Sequence, residues 1–157
     1  MSFFDDVEIG SRRTLGSHLF TREAVLAFAE KYDPQRVHVD EAAASRTHFG
    51  ALVASGWHTA ATWMKLFLED QVRETAERKA RGAPVPDLGP SPGFKNLRWL
   101  KPVYVGDTIT YSTELREKIV SKSKPGWGLF IAYNSGVNQH GDLVFDIEST
   151  GFVRRAP

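Results

Sequence analysis

The order of its periodicities constrains this chain most. A helix-forming run opens at Ser55-Gly56 and continues into the late seventies, and the stretch GAPVPDLGPSPG, Gly82 to Gly93, that follows reads as an ordered surface loop or linker rather than a domain boundary. Four strand-like runs follow with no further helix: Phe94–Lys101, Asp107–Val120, Trp127–Asn138 and Leu143–Arg154. The second alternates with period two, placing Ile109, Tyr111, Thr113 and Leu115 on one face and Thr108, Thr110, Ser112 and Glu114 on the other. Trp127, Leu129, Ile131 and Tyr133 repeat the alternation, as do Leu143, Phe145 and Ile147. Turn signals at Lys124–Gly126 and His140–Asp142 join the last three runs into a meander. Long antiparallel strands with one apolar face, following one long buried helix, predict an α+β domain.

Within the helix, Trp57, Ala60, Ala61, Met64 and Leu68 fall on one stripe, expected to be the buried face. Beyond Glu69 the run turns polar. Glu69/Arg73, Glu74/Arg78 and Glu77/Arg81 stand four apart, so the second half is expected in solvent. Upstream, Arg12 to Phe20 reads as a strand, and Thr21 is placed to cap the helix TREAVLAFAEKY. Val25, Phe28, Ala29 and Tyr32 give that helix its apolar face, and Pro34 ends it. Asp40 is placed to cap a short helix through EAAAS.

Composition narrows the function classes. A chain of 157 residues is the length of one domain, able to bury roughly 70% of its unfolded surface; residues 1–157 are read as one unit. Twenty Lys+Arg against 19 Asp+Glu leave a net charge of +1, so no general basic field exists to hold nucleic acid or an anionic membrane. Without cysteine there is no disulfide, thiolate metal site or Cys nucleophile. The start, MSFFDDVEIG, is acidic and lacks the apolar run of a signal peptide, and no segment is apolar enough to span a bilayer. A cytoplasmic protein is expected.

The chemistry concentrates between Asp33 and Gly56. Asp33 and His38 stand five apart with Pro34 between them, so a carboxylate and an imidazole share one short loop and can converge on a single water. Ser55-Gly56 then opens the long helix, and unpaired N–H groups at such a start stabilise a developing oxyanion. Together these are the minimum apparatus for chemistry alpha to a carbonyl. No Gly-x-Ser-x-Gly elbow surrounds Ser55, which reads as a helix cap rather than a nucleophile. His58, in the first turn, is a candidate to line the same cleft. Trp57, Trp63, Trp99 and Trp127 read as core or dimer packing. His38, Asp40 and His48 lack a recognised ligand spacing, so no metal is expected.

These residues carry a resemblance. Asp33, His38 and Gly56 match, without a gap, the Asp-x-Asn-Pro-x-His … His-Gly pattern of the MaoC-like, (R)-specific enoyl-CoA hydratases, and the stretches ASGWHT and GFKNLRWLKPVYVGDT are similar to that family too. Gln35 stands for the motif's asparagine, Arg36 for its proline and Ser55 for its histidine. These departures bear on substrate identity more than on reaction type. The resemblance implies a hot-dog fold, an antiparallel sheet wrapped around a long central helix. It also implies a hydratase or dehydratase acting on an enoyl thioester, with Asp33 and His38 as acid and base and the Gly56 N–H on the thioester oxygen. Which of the pair is base is left open. Gln35, Arg36, Ser55, Trp57 and His58 would contact substrate, and Arg36 is positioned to meet a carboxylate or phosphate. Coenzyme A would enter as the substrate's handle, with Lys95, Arg98 and Lys101 as candidate cations, and no other cofactor is needed. A homodimer, or a larger homo-oligomer, is implied as well. The alternatives are a hot-dog thioesterase, against which the retained His38 argues, and a non-catalytic acyl-CoA-binding subunit.

Overall fold

Local signals set the element boundaries in the computed structural model, which describes residues 1–155. Ser2 closes a capping box on α1, Phe3–Asp6, a turn that periodicity is too short to reveal. Strand β1, Arg12–Leu19, leads to α2, Arg22–Tyr32, whose Thr21 cap accepts the Ala24 amide at 3.2 Å. After Pro34 comes a single turn, α3, Arg36–Val39, and then α4, Glu41–Ser45, capped by Asp40. The long helix α5 runs Gly56–Ala80. Strands β2, Gly93–Trp99, β3, Thr108–Val120, β4, Trp127–Val137, and β5, Leu143–Arg154, complete the chain. The strands form one antiparallel sheet in the order β1-β3-β4-β5-β2. Register shifts in β1, β3 and β2 bend it. The Gly82–Gly93 stretch is ordered along β5, where Gly89 N–H donates to Phe152 O at 2.8 Å and Arg154 N–H to Asp87 O at 2.8 Å.

The core lies between α5 and the concave face of this sheet. Trp63, with Ala60, Leu66 and Phe67 beside it, meets Ile109, Tyr111, Phe145 and Ile147, and Tyr111 Oη donates to Thr59 O at 2.9 Å. This is the hot-dog arrangement. The alternation of β3 and β5 reads correctly: Ile109, Tyr111, Leu115, Phe145 and Ile147 are buried.

On two elements the faces are reversed from expectation. The helix-facing side of β4 is Gly128, Phe130, Ala132, Asn134 and Gly136, which pair across with Val153, Gly151, Ser149, Ile147 and Phe145 of β5. Trp127, Leu129, Ile131 and Tyr133 therefore lie on the outer face. Space explains the small residues within. A Cβ on Gly128 would stand 2.3 Å from the Phe4 ring, and one on Gly136 would stand 3.0 Å from Ile109 Cγ2.

Helix α5 is also turned. Its buried side carries His58, Thr59, Thr62, Trp63, Asp70 and Arg78, whereas Trp57, Met64, Leu68 and Val72 are exposed. The second half does not simply emerge into solvent. Asp70, 3% exposed, receives both Arg13 Nε at 2.8 Å and Nη2 at 3.0 Å, and Arg73 as well. Arg78 donates to Glu74 at 2.9 Å and to Asp6 of α1 at 2.6 Å. Of the three pairs expected four apart, only Glu74/Arg78 forms; Arg73 turns to Asp70 and Glu77, and Glu69 faces Lys65. Local spacing yields here to long-range partners on β1 and α1.

Asp70→Asn leaves two guanidinium groups facing an amide. Because Arg13 remains about a third exposed, the cost should fall below that of a fully buried pair, at about 2 kcal/mol. A lowered urea midpoint at unchanged m-value is the expected result.

Candidate active site

The site is built where α2 ends and α5 begins. Asp33 caps the end of α2, its amide donating to Ala29 O at 2.9 Å, and Pro34 prevents the helix from continuing. The α3 turn then brings His38 back towards Asp33, with His38 Nε2 lying 3.5 Å from Asp33 Oδ2. The opposite ring nitrogen, Nδ1, lies 2.7 Å from Val53 O. A carbonyl only accepts, so Nδ1 carries the proton and Nε2 is the nitrogen turned to the carboxylate. Val53 is itself fixed, its amide donating to Val37 O at 3.2 Å and its segment bridging to Tyr104.

Asp33 is held from both sides. Ser55 Oγ donates to Oδ2 at 2.6 Å and Gln35 Nε2 to Oδ1 at 2.7 Å. Burial is the strongest single influence on this carboxyl and pushes its pKa up; the bonds from Ser55 and Gln35, with His38 nearby, outweigh it and hold the pKa below the usual carboxylate range. Asp33 is therefore ionised at neutral pH.

Ser55 also decides which amide of α5 is left open. Its Oγ accepts from Trp57 N–H at 3.2 Å, and its carbonyl accepts from His58 at 3.0 Å and Thr59 at 3.2 Å. Of the first four amides of α5, only that of Gly56 has no acceptor among the described residues. It sits at the positive end of a 25-residue helix. Trp99 of β2 locks this peptide: its Nε1 donates to Gly56 O at 2.8 Å, and a Cβ on Gly56 would stand 2.4 Å from the indole. Glycine is thus required here by the tryptophan above it. The indole was legible only as packing, and the Val53 carbonyl gives no sequence signal at all.

The remaining candidates divide. Gln35 and Ser55 touch Asp33 directly. Trp57 is exposed beside the site, its ring edge-on to Trp99 with centroids 5.1 Å apart. Arg36 is exposed on α3 with no ion pair among the described residues. His58 is turned inward, stacked on Phe28 at 4.7 Å and edge-on to Phe20 at 4.9 Å. Burial, and then His18, push its pKa down to about 4, so it is a neutral packing group between α2 and α5. No group of three or more metal-ligating side chains occurs among the described residues.

Removing the Ser55 hydroxyl tests this electrostatic design. In Ser55→Ala the upward push of burial on Asp33 loses its chief opponent, so the carboxyl pKa rises. Any activity that needs ionised Asp33 should show its acid limb displaced to higher pH. A group with a depressed folded-state pKa stabilises the fold above its unfolded value, and that contribution is lost as pH falls through the folded one. Ser55→Ala should therefore also flatten the loss of stability on acidification. A pH profile of activity and one of urea midpoints check both.

Comparison with known proteins bears on the family and the fold. Residues 8–126 match the family described as MaoC like domain. The structure is similar to that of a MaoC-like dehydratase from Rhodospirillum rubrum, with TM-score 0.81 and 31% identity over 100% of this chain and 99% of that one. An R-hydratase, PhaJ1 from Pseudomonas aeruginosa, shares the fold at TM-score 0.66 and 22% identity, over 98% of this chain and 86% of that one. The uncharacterized protein YdeM of Bacillus subtilis (strain 168) is 27% identical over 96% of this chain and 98% of its own length. With the family match spanning most of the sequence and a full-length structural relative above 30% identity, the chain belongs to the MaoC-like domain family.

Proposed function

We propose that this protein is a hydratase/dehydratase acting on an enoyl thioester, with coenzyme A as the substrate's handle. The observation that carries the reading is the convergence of Asp33 Oδ2 and His38 Nε2, 3.5 Å apart, beside the one open amide at the start of α5. That spacing is too long for a strong direct bond and suits a pair that shares a water. In hydration, ionised Asp33 takes a proton from the water as its oxygen bonds to the β-carbon. The electron pair of the double bond moves towards the thioester, whose oxygen gathers charge against the Gly56 N–H. For this step His38 must start as the imidazolium, with a second proton on Nε2 beside the one that Val53 O holds on Nδ1, and that Nε2 proton passes to the α-carbon. Transfer of the acquired proton from Asp33 to His38 resets the pair, and dehydration is the reverse. The lowered pKa of Asp33 keeps the carboxylate ionised and free to accept a proton, which supports its role as base, a point the sequence leaves open.

For the handle, Arg98 and Lys101 are engaged by Asp146, with Arg98 Nε at 2.8 Å, and by Asp142 at 3.0 Å. Lys95 has no ion pair among the described residues and is the better cation for a CoA phosphate. Arg36, exposed three residues from Asp33, fits an anionic group on the substrate.

The assembled form we propose is a homodimer. Among the described residues, strand β2 pairs only with β5 and its other edge is unpaired. Phe94 is 58% exposed on it and Val72 is 72% exposed on α5, with Trp57, Met64 and Leu68 continuing the apolar stripe. A second copy related by a two-fold axis would cover edge and stripe together. It would bring its own residues to the Trp57–Trp99 side of the site.

Loss of enoyl absorbance from crotonyl-CoA is the direct test. Asp33→Asn and His38→Ala should each lower turnover by about 10²–10³, and the double variant should be barely worse than either, because both act on one water. Thiol release without hydration would instead identify a thioesterase. Sedimentation at micromolar concentration should give a dimer that a charge at Val72 or Leu68 dissociates; a monomer with full activity would remove the dimer from the reading.

A further inference from the structure

Two histidines turned inward behind the start of α5 take no part in the proposed reaction. His58 belongs to the first turn of the helix, two residues beyond Gly56, and its amide donates to Ser55 O at 3.0 Å. Its ring is 8% exposed and walled from three directions. Phe28 of α2 stacks on it with centroids 4.7 Å apart and planes 7° from parallel, and Phe20 stands edge-on at 4.9 Å. His18 of β1 is the third wall, edge-on to His58 at 6.4 Å and to Phe20 at 4.9 Å.

This box suits a neutral imidazole and disfavours a charged one. His58 Nδ1 is buried with no hydrogen-bond partner among the described residues, and so is His18 Nε2. In a neutral ring Nδ1 can be left as a bare lone pair, but an imidazolium carries a proton on both nitrogens. Protonation would therefore set a buried N–H without an acceptor inside an aromatic box. The stacked Phe28 face offers a cation some attraction but does not supply that acceptor. No anion pairs with either ring among the described residues. β1 presents His18, α2 presents Phe28, and Lys65, further along α5, acts on His18. The carboxylate at this end of α2, Asp33, is bonded by Ser55 and Gln35 and turned to His38. Burial, and then His18, accordingly hold the His58 pKa down at about 4; burial, and then Lys65, push that of His18 down as well.

We infer that His58 is a positioning residue: its neutral ring fixes the first turn of α5 against α2, and taking up a proton reversibly releases that turn and with it the Gly56 amide. The effect reaches the site through the backbone. Ser55 bonds Asp33 through its hydroxyl and His58 through its carbonyl, so a displaced His58 turn disturbs the partner of the carboxylate and the open amide together. This rests on the enoyl-thioester reading above and adds a proton-linked control to that site.

His58→Phe keeps a ring on Phe28 and cannot take a proton. A histidine whose folded pKa lies below its unfolded value of about 6.5 withdraws stability as pH falls from that value, until the folded pKa is passed. Urea midpoints of the unaltered protein should therefore drop between pH 6.5 and about 4, and drop less in His58→Phe. Hydration of crotonyl-CoA, taken relative to each protein's own rate at pH 7, should lose its acid limb at lower pH in the variant. At pH 4 the variant should keep about twofold more of its activity, since His58 is then half protonated in the unaltered protein. That loss should reverse on return to pH 7. By NMR of the unaltered protein, the His58 ring should titrate well below its ordinary value and the Gly56 amide should follow it, a readout that survives if His58→Phe does not fold. An ordinary His58 titration would overturn the inference. So would an acid limb unmoved in His58→Phe, even with flattened midpoints, because His58 would then act on stability alone. If the His58 and Gly56 resonances move together while crotonyl-CoA is not turned over, the reaction reading fails and the positioning role stands.

Discussion

Ser55 ties the two halves of the site into one object. It is fully buried, and its side chain bonds both the Asp33 carboxylate and the first turn of α5. One hydroxyl thereby sets the distance between the end of α2 and the start of α5, lowers the pKa of the Asp33 carboxyl and leaves a single amide of the helix's first turn open among the described residues. Replacing it by a group that only donates or only accepts would break one of these links. The residue that stands for the family pattern's histidine thus has a structural task of its own. His58 repeats the connection a turn later without polar contacts, stacking on Phe28 of α2. Two bridges, one hydrogen-bonded and one aromatic, hold α2 against α5, and the spacing between Asp33 and Gly56 follows from them.

The second half of α5 is held differently. Towards its C-terminus the helix is carried by ion pairs to β1 and α1, through Asp70 with Arg13 and Arg78 with Asp6. Charged pillars do not need close packing beneath them, whereas an apolar underside would draw the helix down onto the sheet. The bridging groups Asp6, Arg13, Asp70, Glu74 and Arg78 all line a cavity of ≈ 820 Å³ between α5 and the sheet. This gives a physical reason for a void that an ordinary core would close.

Much of this was legible. The long helix, the strand meander, the caps at Thr21 and Asp40, and the break at Pro34 rest on local chemistry and fall where sequence puts them. Long-range competition was not legible. On β4 the apolar alternation of Trp127, Leu129, Ile131 and Tyr133 points outward because Phe4, Ile109 and Tyr111 already fill the space on the inner side. On α5 the stripe Trp57, Met64, Leu68 has the period of a buried face but lies open, while Thr59, Thr62 and Asp70 go inward to partners that no local window contains. At the site, Asp33, His38 and Gly56 are singled out by spacing together with the family pattern, and the fold brings Asp33 and His38 within 3.5 Å. Trp99, which enforces the glycine, comes from a strand 43 residues away, and the Val53 carbonyl that fixes the His38 tautomer has no side-chain signature.

The exposed stripe and the buried polar underside are one choice seen from two sides. A helix with a single apolar face can give it to its own sheet or to a neighbour. Here the sheet receives Trp63, a few hydroxyls and the ion pairs, and the apolar face is left exposed, meeting β2 where Trp57 packs on Trp99. Such a helix is under-buried alone, because Trp57, Met64, Leu68 and Val72 keep between 43% and 72% of their surface in water when folded. If a second copy supplies the missing burial, folding and association are coupled, and stability should depend on protein concentration. The same coupling would extend to the site. Trp99, which clamps Gly56, lies on β2, and Trp57 packs against it, so a partner pressing on that edge would hold the open amide in place. In that arrangement catalysis and assembly share one tryptophan, and dilution that separates subunits should lower activity before it unfolds the chain.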